Sequence, residues 1–172
     1  MKILCYPSEV LRQPGVEIVR FDDELAQVAR RMLETMYAGI GVGLAAPQVG
    51  LSTRLCVLNT TGTPEGELAL VNPEITERND AVTGDEGCLS FPGIFIKVQR
   101  AARIKVRYQD LSGQEHTLEA DGLLARAIQH EVDHLNGVLL IDKMTKVQQL
   151  ANRRALKMLE LRHAGDGDAF VG

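Results

Sequence analysis

The sequence predicts an α+β fold in which the strands pair largely antiparallel. Strand-like segments follow one another between residues 54 and 118 without a helix between them, whereas a doubly wound sheet alternates strands with helices. Segments with helical spacing lie on both sides of this group. The chain has 172 residues, 45% of them hydrophobic, which suits a single domain over residues 1–172 with its own core.

The first helix is predicted to begin at Asp22, because acidic residues favour a helix N-terminus, and to stop near Gly39. Short strands are then predicted over residues 54–59 and 68–75. Alternating apolar residues indicate strand structure at 94–98 and again at 103–108, and a further strand passes through 117–118.

Two further helices are predicted towards the end of the chain. Asp121 can cap a helix over about residues 122–135, which Asn136 and Gly137 would end. A last amphipathic helix is expected from near Thr145 to about Arg162, followed by a loose tail at residues 165–168.

Charge and hydropathy exclude several classes of protein. The net charge is −4 with both signs mixed, which argues against nucleic acid as the main partner and predicts no direct nucleic-acid specificity. No apolar run approaches the ~20 residues of a membrane span, and the apolar stretch at the N-terminus is too short for a secretory signal. We therefore expect a cytoplasmic protein that does not bind membranes.

The three cysteines differ in their surroundings. Cys5, Cys56 and Cys88 are an odd number at wide spacings, so a disulfide framework is not expected. Cys56 lies in an apolar run and fits a buried core position. Cys88 follows Gly87 in a polar segment, and this position needs another explanation.

The most informative segment is an H-E-x-x-H pattern on the second predicted helix. His130 and His134 are four residues apart, so they leave the same helix face with Cβ atoms about 5–6 Å apart. Glu131 points about 100° further round, where it can contact a metal-bound water without being a ligand. The alternative is a helix whose two histidines border the core by chance. Leu123 and Ala127 share the histidine stripe, which predicts apolar surroundings.

A catalytic metal site usually has three protein ligands, and several residues compete for the third position. One metallopeptidase pattern has a glycine where Gly137 stands, but its third histidine would fall at Leu140. A second pattern takes an acid from a following helix, for which Glu160 is the nearest residue. Cys88 is the better candidate, because a thiolate binds first-row metals strongly and Gly87 allows close backbone approach. A rival reading makes Cys88 a nucleophile activated by histidine.

Three segments together resemble the peptide deformylase family. They are GVGLAAPQ at residues 41–48, EGCLS at 86–90 and QHEVDH at 129–134, and their order and separation match the family over nearly the whole chain. The resemblance implies antiparallel and mixed β-sheets wrapped around a central H-E-x-x-H helix, with a C-terminal helix. It also implies a metal-dependent hydrolase that removes the formyl group from formyl-methionyl nascent polypeptides and releases formate.

The resemblance assigns roles to the motif residues. Glu131 becomes the general base, and the Gln48 amide and the Leu89 backbone N–H become donors to the oxyanion. Fe²⁺ is the expected ion, although one thiolate and two imidazoles also suit Zn²⁺, Ni²⁺ or Co²⁺. The implied ligands of this one divalent ion are Cys88, His130 and His134.

The implied substrate is an N-formyl-methionyl peptide that lies as an added strand against Val42, Gly43 and Gly87. We expect a monomer that contacts the ribosome transiently. The methionine side chain is expected to enter an apolar pocket formed by Val42, Leu123, Ala127 and His130.

Two charged features near the motifs have open interpretations. Arg126 lies one turn before His130, and because an unpaired arginine is costly to bury, its guanidinium is expected to reach solvent and bind peptide carbonyls. The alternative is a solvated charge without substrate contact. Glu86 and Arg100 either form an ion pair that braces the Cys88 segment or remain two solvated surface charges.

Two other functions compete with deformylation. A metallopeptidase would need a third ligand after His134 and would be indifferent to Cys88. An inactive metal-binding or ribosome-associated adaptor would tolerate loss of Glu131 and Gln48, yet both residues accompany a complete ligand set.

Overall fold

The predicted helices and strands occur in their predicted order in the computed structural model, which describes residues 1–166, and a short strand at Gly43–Ala45 that was not predicted precedes the other strands. The helices are α1 (Asp23–Ala38), α2 (Gly122–Leu135) and α3 (Lys146–Asp166). The strands are β1 (Gly43–Ala45), β2 (Leu55–Leu58), β3 (Leu68–Gly87), β4 (Phe95–Gln109) and β5 (Glu115–Asp121).

The five strands form one sheet in the order β1-β2-β3-β4-β5, and each neighbouring pair is antiparallel. Parallel pairing within residues 1–166 is limited to an isolated bridge between Val16 and Thr53. The longest pairing is the β3–β4 ribbon, which runs from Val71 opposite Gln109 to Gly87 opposite Phe95. This architecture confirms the predicted α+β class with antiparallel pairing.

Strand lengths differ from the prediction in this ribbon. β3 continues to Gly87 instead of ending near residue 75, and the two segments predicted at 94–98 and 103–108 are one continuous strand. Most residues between 76 and 85 are exposed and polar, so they lack the apolar alternation on which the prediction depended. This part of β3 is stabilised instead by backbone pairing with β4 and by cross-strand ion pairs such as Lys97–Asp85, at 3.1 Å.

The helices agree closely with their predicted bounds. Asp22 caps α1 by accepting a hydrogen bond from the Leu25 N–H at 3.1 Å. Asp121 holds the N-cap position of α2, but its side chain makes no capping hydrogen bond. α3 extends to Asp166, past the expected end at Arg162, so the first two residues of the predicted loose tail are helical and the last two lie outside the described residues.

α2 packs one face against the sheet, and this contact orients the motif residues. Ala125, Ile128, Val132 and Leu135 are buried in one cluster with strand residues that include Cys56, which confirms the core position of that cysteine. The buried Leu156 and Leu159 of α3 belong to a second cluster. None of the helices within residues 1–166 is long and apolar enough to cross a membrane.

Candidate metal centre

Three predicted metal ligands converge beside α2, where Cys88 and His130 are partly buried and His134 is fully buried. Nε2 of His134 lies 3.2 Å from Nε2 of His130 and 3.2 Å from Sγ of Cys88. The three ligand atoms all lie within 4.8 Å of one another. Cys88 follows directly after the last residue of β3, so the end of this strand delivers the thiol to the helix.

The separations and the donor chemistry fit a tetrahedral metal ion. With metal–nitrogen bonds of about 2.0–2.1 Å and metal–sulfur bonds of about 2.3 Å, tetrahedral ligand atoms are roughly 3.3–3.6 Å apart, close to the observed 3.2 Å. Burial lowers the pKa of His134 well below its usual value. This keeps the imidazole neutral, which is the form that binds a metal.

Glu86 fixes the orientation of His130. Its Oε2 accepts a hydrogen bond from Nδ1 of His130 at 3.0 Å, which leaves the Nε2 lone pair directed at the site. Arg100 donates from Nε and Nη2 to the same carboxylate at 2.8 and 2.9 Å. The predicted ion pair is therefore present, and it is buried, not solvated. Burial opposes ionisation, but hydrogen bonds from Arg100 and His130 outweigh it and hold the pKa of Glu86 well below its ordinary value.

Arg126 does not extend into solvent, so this part of the prediction is wrong. Its Nη1 donates to Oε1 of Glu86 at 2.8 Å and to the Val98 carbonyl at 3.0 Å, while Nη2 donates to the Val82 carbonyl at 3.0 Å. The side chain is 13% exposed. The prediction failed because it assumed that no partner was available, whereas the long β3–β4 ribbon supplies two carbonyls and Glu86 supplies a carboxylate.

The Glu131 carboxylate packs directly against Gly43, and any larger residue at position 43 would displace it. A Cβ atom on Gly43 would collide with Oε1 of Glu131 and lie 2.9 Å from its Cδ. Oε2 of Glu131 is buried and has no hydrogen-bond partner among the described residues. Burial raises the pKa of Glu131 to about 7, which suits a group that accepts and returns a proton near neutral pH.

Gln48 is held rigidly and is not a surface amide. Its Oε1 accepts a hydrogen bond from the Ala45 N–H at 2.9 Å, so its Nε2 faces the site. Nε2 donates to Oγ of Ser90 at 3.1 Å and lies 3.6 Å from Sγ of Cys88. Sequence reasoning did not assign a role to Ser90, although it belongs to the same EGCLS segment as Cys88. Leu89 lies between these two residues and lines the adjoining cleft.

A cleft of about 470 Å³ is lined by two of the three predicted ligands, Cys88 and His130. The exposed side chains of Ile40 and Phe95 also border it, and sequence reasoning identified neither. All six residues predicted to bind substrate line this cleft: Val42, Gly43, Gly87, Leu123, Arg126 and Ala127.

A cleft of this size, with a buried carboxylate beside two imidazoles and a thiol, is typical of metal-dependent hydrolases. The chain matches the polypeptide deformylase family model over residues 1–150 and belongs to the peptide deformylase family. Its activity is therefore the hydrolytic removal of the N-terminal formyl group from polypeptides, a step in protein biosynthesis. This membership also makes the chain a metalloenzyme.

Individual relatives are similar over most of their length. The chain is 49% identical to peptide deformylase 1 of Bacillus anthracis over 146 residues, which cover 85% of this chain and 93% of that protein. It is 44% identical to the peptide deformylase of Thermotoga maritima, with coverage of 90% and 93%. Crystals of the Plasmodium falciparum enzyme give a TM-score of 0.92 at 41% identity, covering 95% of this chain and 98% of that one. Arabidopsis thaliana peptide deformylase 1B with a bound inhibitor gives 0.92 at 42% identity, covering 96% and 93%.

Proposed function

We propose that Cys88, His130 and His134 hold one Fe²⁺ ion, with which this deformylase acts on formyl-methionyl nascent chains. The observation that carries this proposal is the convergence of Sγ and two Nε2 atoms within 4.8 Å, next to a buried carboxylate. The donor set of one thiolate and two imidazoles also accepts Zn²⁺, Ni²⁺ and Co²⁺. A bound divalent ion supplies a Lewis acid that lowers the pKa of water and polarises the formyl carbonyl.

The peptide binds as an additional strand in the cleft. β1 is an edge strand of the sheet and pairs only with β2 among the described residues. Near Gly87, β3 pairs only with β4, so its other edge carries no strand among the described residues. The remaining edges, at Gly43 and Gly87, both border the cleft, and free strand edges are the usual site of β-augmentation. Leu123 and Ala127 of α2, together with Val42 and His130, form the pocket for the methionine side chain.

Glu131 carries the proton through the reaction. Its carboxylate takes a proton from the attacking water and gives it to the leaving amine, so the products are formate and a free amino terminus. Negative charge develops on the formyl oxygen, to which the Gln48 amide and the Leu89 backbone N–H donate. Removal of one such donor typically reduces the rate by on the order of 10²–10³.

The test of this mechanism is Glu131→Gln, with Glu160→Gln as its matched control. Glu160 lies on α3 and was the alternative candidate for the third ligand. Its Oε1 instead accepts a hydrogen bond from the Tyr6 hydroxyl at 3.4 Å. Formate release from formyl-Met-Ala-Ser and bound metal are measured on the same anaerobic sample. Glu131→Gln should retain metal and lose most of its turnover, whereas Glu160→Gln should keep both. A near-native rate in metal-loaded Glu131→Gln would refute the proton-transfer role.

The identity of the ion has a separate test. A thiolate ligand beside an open coordination position leaves both Fe²⁺ and the Cys88 sulfur oxidisable. Activity of the Fe²⁺ form should decay in air, and activity should persist longer after exchange to Ni²⁺. Equal air stability of the two forms, or an anaerobic preparation that contains zinc instead of iron, would contradict the assignment.

We further propose that residues 1–172 form one catalytic domain that works as a cytoplasmic monomer and contacts the ribosome transiently. α3 supports the last point, because it exposes Leu150 and Leu161 next to the exposed basic residues Arg153 and Arg154. Pelleting with purified ribosomes should weaken when Arg154 is replaced by Glu, whereas turnover of free peptides should not change. Sedimentation velocity measures the oligomeric state, and a dimer would contradict the proposed monomer.

A further inference from the structure

Phe95 is an exposed aromatic residue in a position that the mechanism does not use. Its side chain is 71% exposed, although it lies at the border of the active-site cleft. Phe95 is the direct register partner of Gly87 on the β3–β4 ribbon. A Cβ atom on Gly87 would lie 2.6 Å from Cε1 of Phe95, so the ring covers the space that a side chain on Gly87 would occupy.

The face of the ribbon that carries Phe95 follows from its neighbours. Glu86 and Ile96 are also register partners; both are buried, and Glu86 points to His130 on α2. Because successive side chains on a strand point to opposite faces, Gly87 and Phe95 belong to the face turned away from α2.

The same alternation applies to a peptide added beside Gly87. This step rests on the strand-addition mode of the proposed function. The methionine side chain points towards Leu123 and Ala127 on α2, so the side chain of the following residue points to the opposite face, where Phe95 lies. Gly87 has no side chain that could separate the two.

We propose that Phe95 is a specificity-determining residue that selects an apolar side chain at the position directly after the formyl-methionine. The exposed ring offers apolar area and no charge. The nearest ionic groups on the same face, Asp85 and Lys97, are paired with each other at 3.1 Å. An apolar side chain therefore gains contact with the ring, whereas glycine gains nothing.

The test compares kcat/KM for formyl-Met-Leu-Ser with kcat/KM for formyl-Met-Gly-Ser in one sample of each protein. The wild type should prefer leucine roughly three- to tenfold, the range expected for one aromatic contact. Phe95→Ala should bring the ratio close to one, Phe95→Tyr should preserve it, and Phe95→Glu should favour formyl-Met-Lys-Ser over the leucine peptide. Val19→Ala removes another exposed apolar side chain and serves as the control, with an unchanged ratio.

Both peptides are assayed with the same protein sample, so partial unfolding of a variant does not change the ratio of the two kcat/KM values. An unchanged leucine-to-glycine ratio in active Phe95→Ala, or a wild-type ratio near one, would overturn this inference alone. Absence of formate release from all three peptides in the wild type would overturn the proposed substrate as well.

Discussion

Oε2 of Glu86 lies 3.0 Å from Nδ1 of His130, so a residue of β3 sets the ring orientation of one of the three proposed metal ligands, on α2. Arg100 and Arg126 bind the same carboxylate from β4 and α2. Arg100 also pairs with Asp133, which is bound by Lys143 at 3.2 Å. The geometry of the metal site therefore depends on charges from both strands of the ribbon.

Replacement of Arg126 should weaken metal binding. Arg126→Met removes one of the two arginines that restrain Glu86, while Arg100 continues to neutralise its charge. We expect metal affinity to fall on the order of tenfold, the lower end of the range for residues that support metal ligands. Competition with a chelator measures this change.

The control for Arg126 is Arg103→Met, which breaks an exposed pair with Asp80 and should leave metal affinity unchanged. If Arg126→Met retained wild-type affinity but raised KM for formylated tripeptides more than for formyl-Met, Arg126 would act on the peptide instead of on Glu86.

Gly43 should not accept any side chain. A methyl group there would collide with the Glu131 carboxylate, which has little room to move because it is buried. Gly43→Ala should therefore lower kcat by at least tenfold while metal content stays normal, because the ligands lie on other residues. Gly165→Ala, on α3, has open space around it and is the control for activity. Wild-type kcat in Gly43→Ala would mean that Glu131 does not need its observed position.

The sequence predicted the chemistry of the site better than its supporting contacts. His130, Glu131 and His134 were predictable because one helical turn determines their relative positions. The hydrogen-bond partners of Arg126 were not predictable, because they lie on the β3–β4 ribbon, whose exposed residues do not alternate between apolar and polar. Ser90 and Phe95 depend on contacts across segments, which spacing along the chain does not encode.

Cys88 and Cys56 should respond differently to the same substitution. Sγ of Cys88 lies 3.2 Å from a histidine nitrogen, whereas Cys56 is buried between strands and α2. Cys88→Ala should lose bound metal and formate release together. Cys56→Ala should keep both and lose about 1 kcal/mol of stability through the small cavity that it leaves. Stoichiometric metal in Cys88→Ala, measured by elemental analysis, would exclude Cys88 as a ligand.

Asp142 should contribute stability that depends on pH. Partial burial opposes its charge, but a hydrogen bond from Arg12 and one from the Leu139 N–H, at 2.8 Å, lower the pKa of Asp142 below its usual value. A carboxyl group whose pKa is lower in the folded state stabilises the fold above its unfolded pKa of about 3.9, and this contribution is lost as the pH falls through the folded value. The Asp142 side chain is 38% exposed, so solvent screening limits the effect to less than about 1 kcal/mol.

Asp142→Asn should therefore be less stable than the wild type at pH 7, and the difference should shrink as the pH falls below about 4. Urea denaturation of both proteins at pH 7, 5 and 3, with chelator present throughout, measures the difference without a contribution from metal release. Asp80→Asn, which breaks the exposed pair with Arg103, should change stability by less than about 0.5 kcal/mol at pH 7. A stability difference for Asp142→Asn that stayed constant from pH 7 to pH 3 would show that Arg12 and Leu139 do not favour the charged carboxylate.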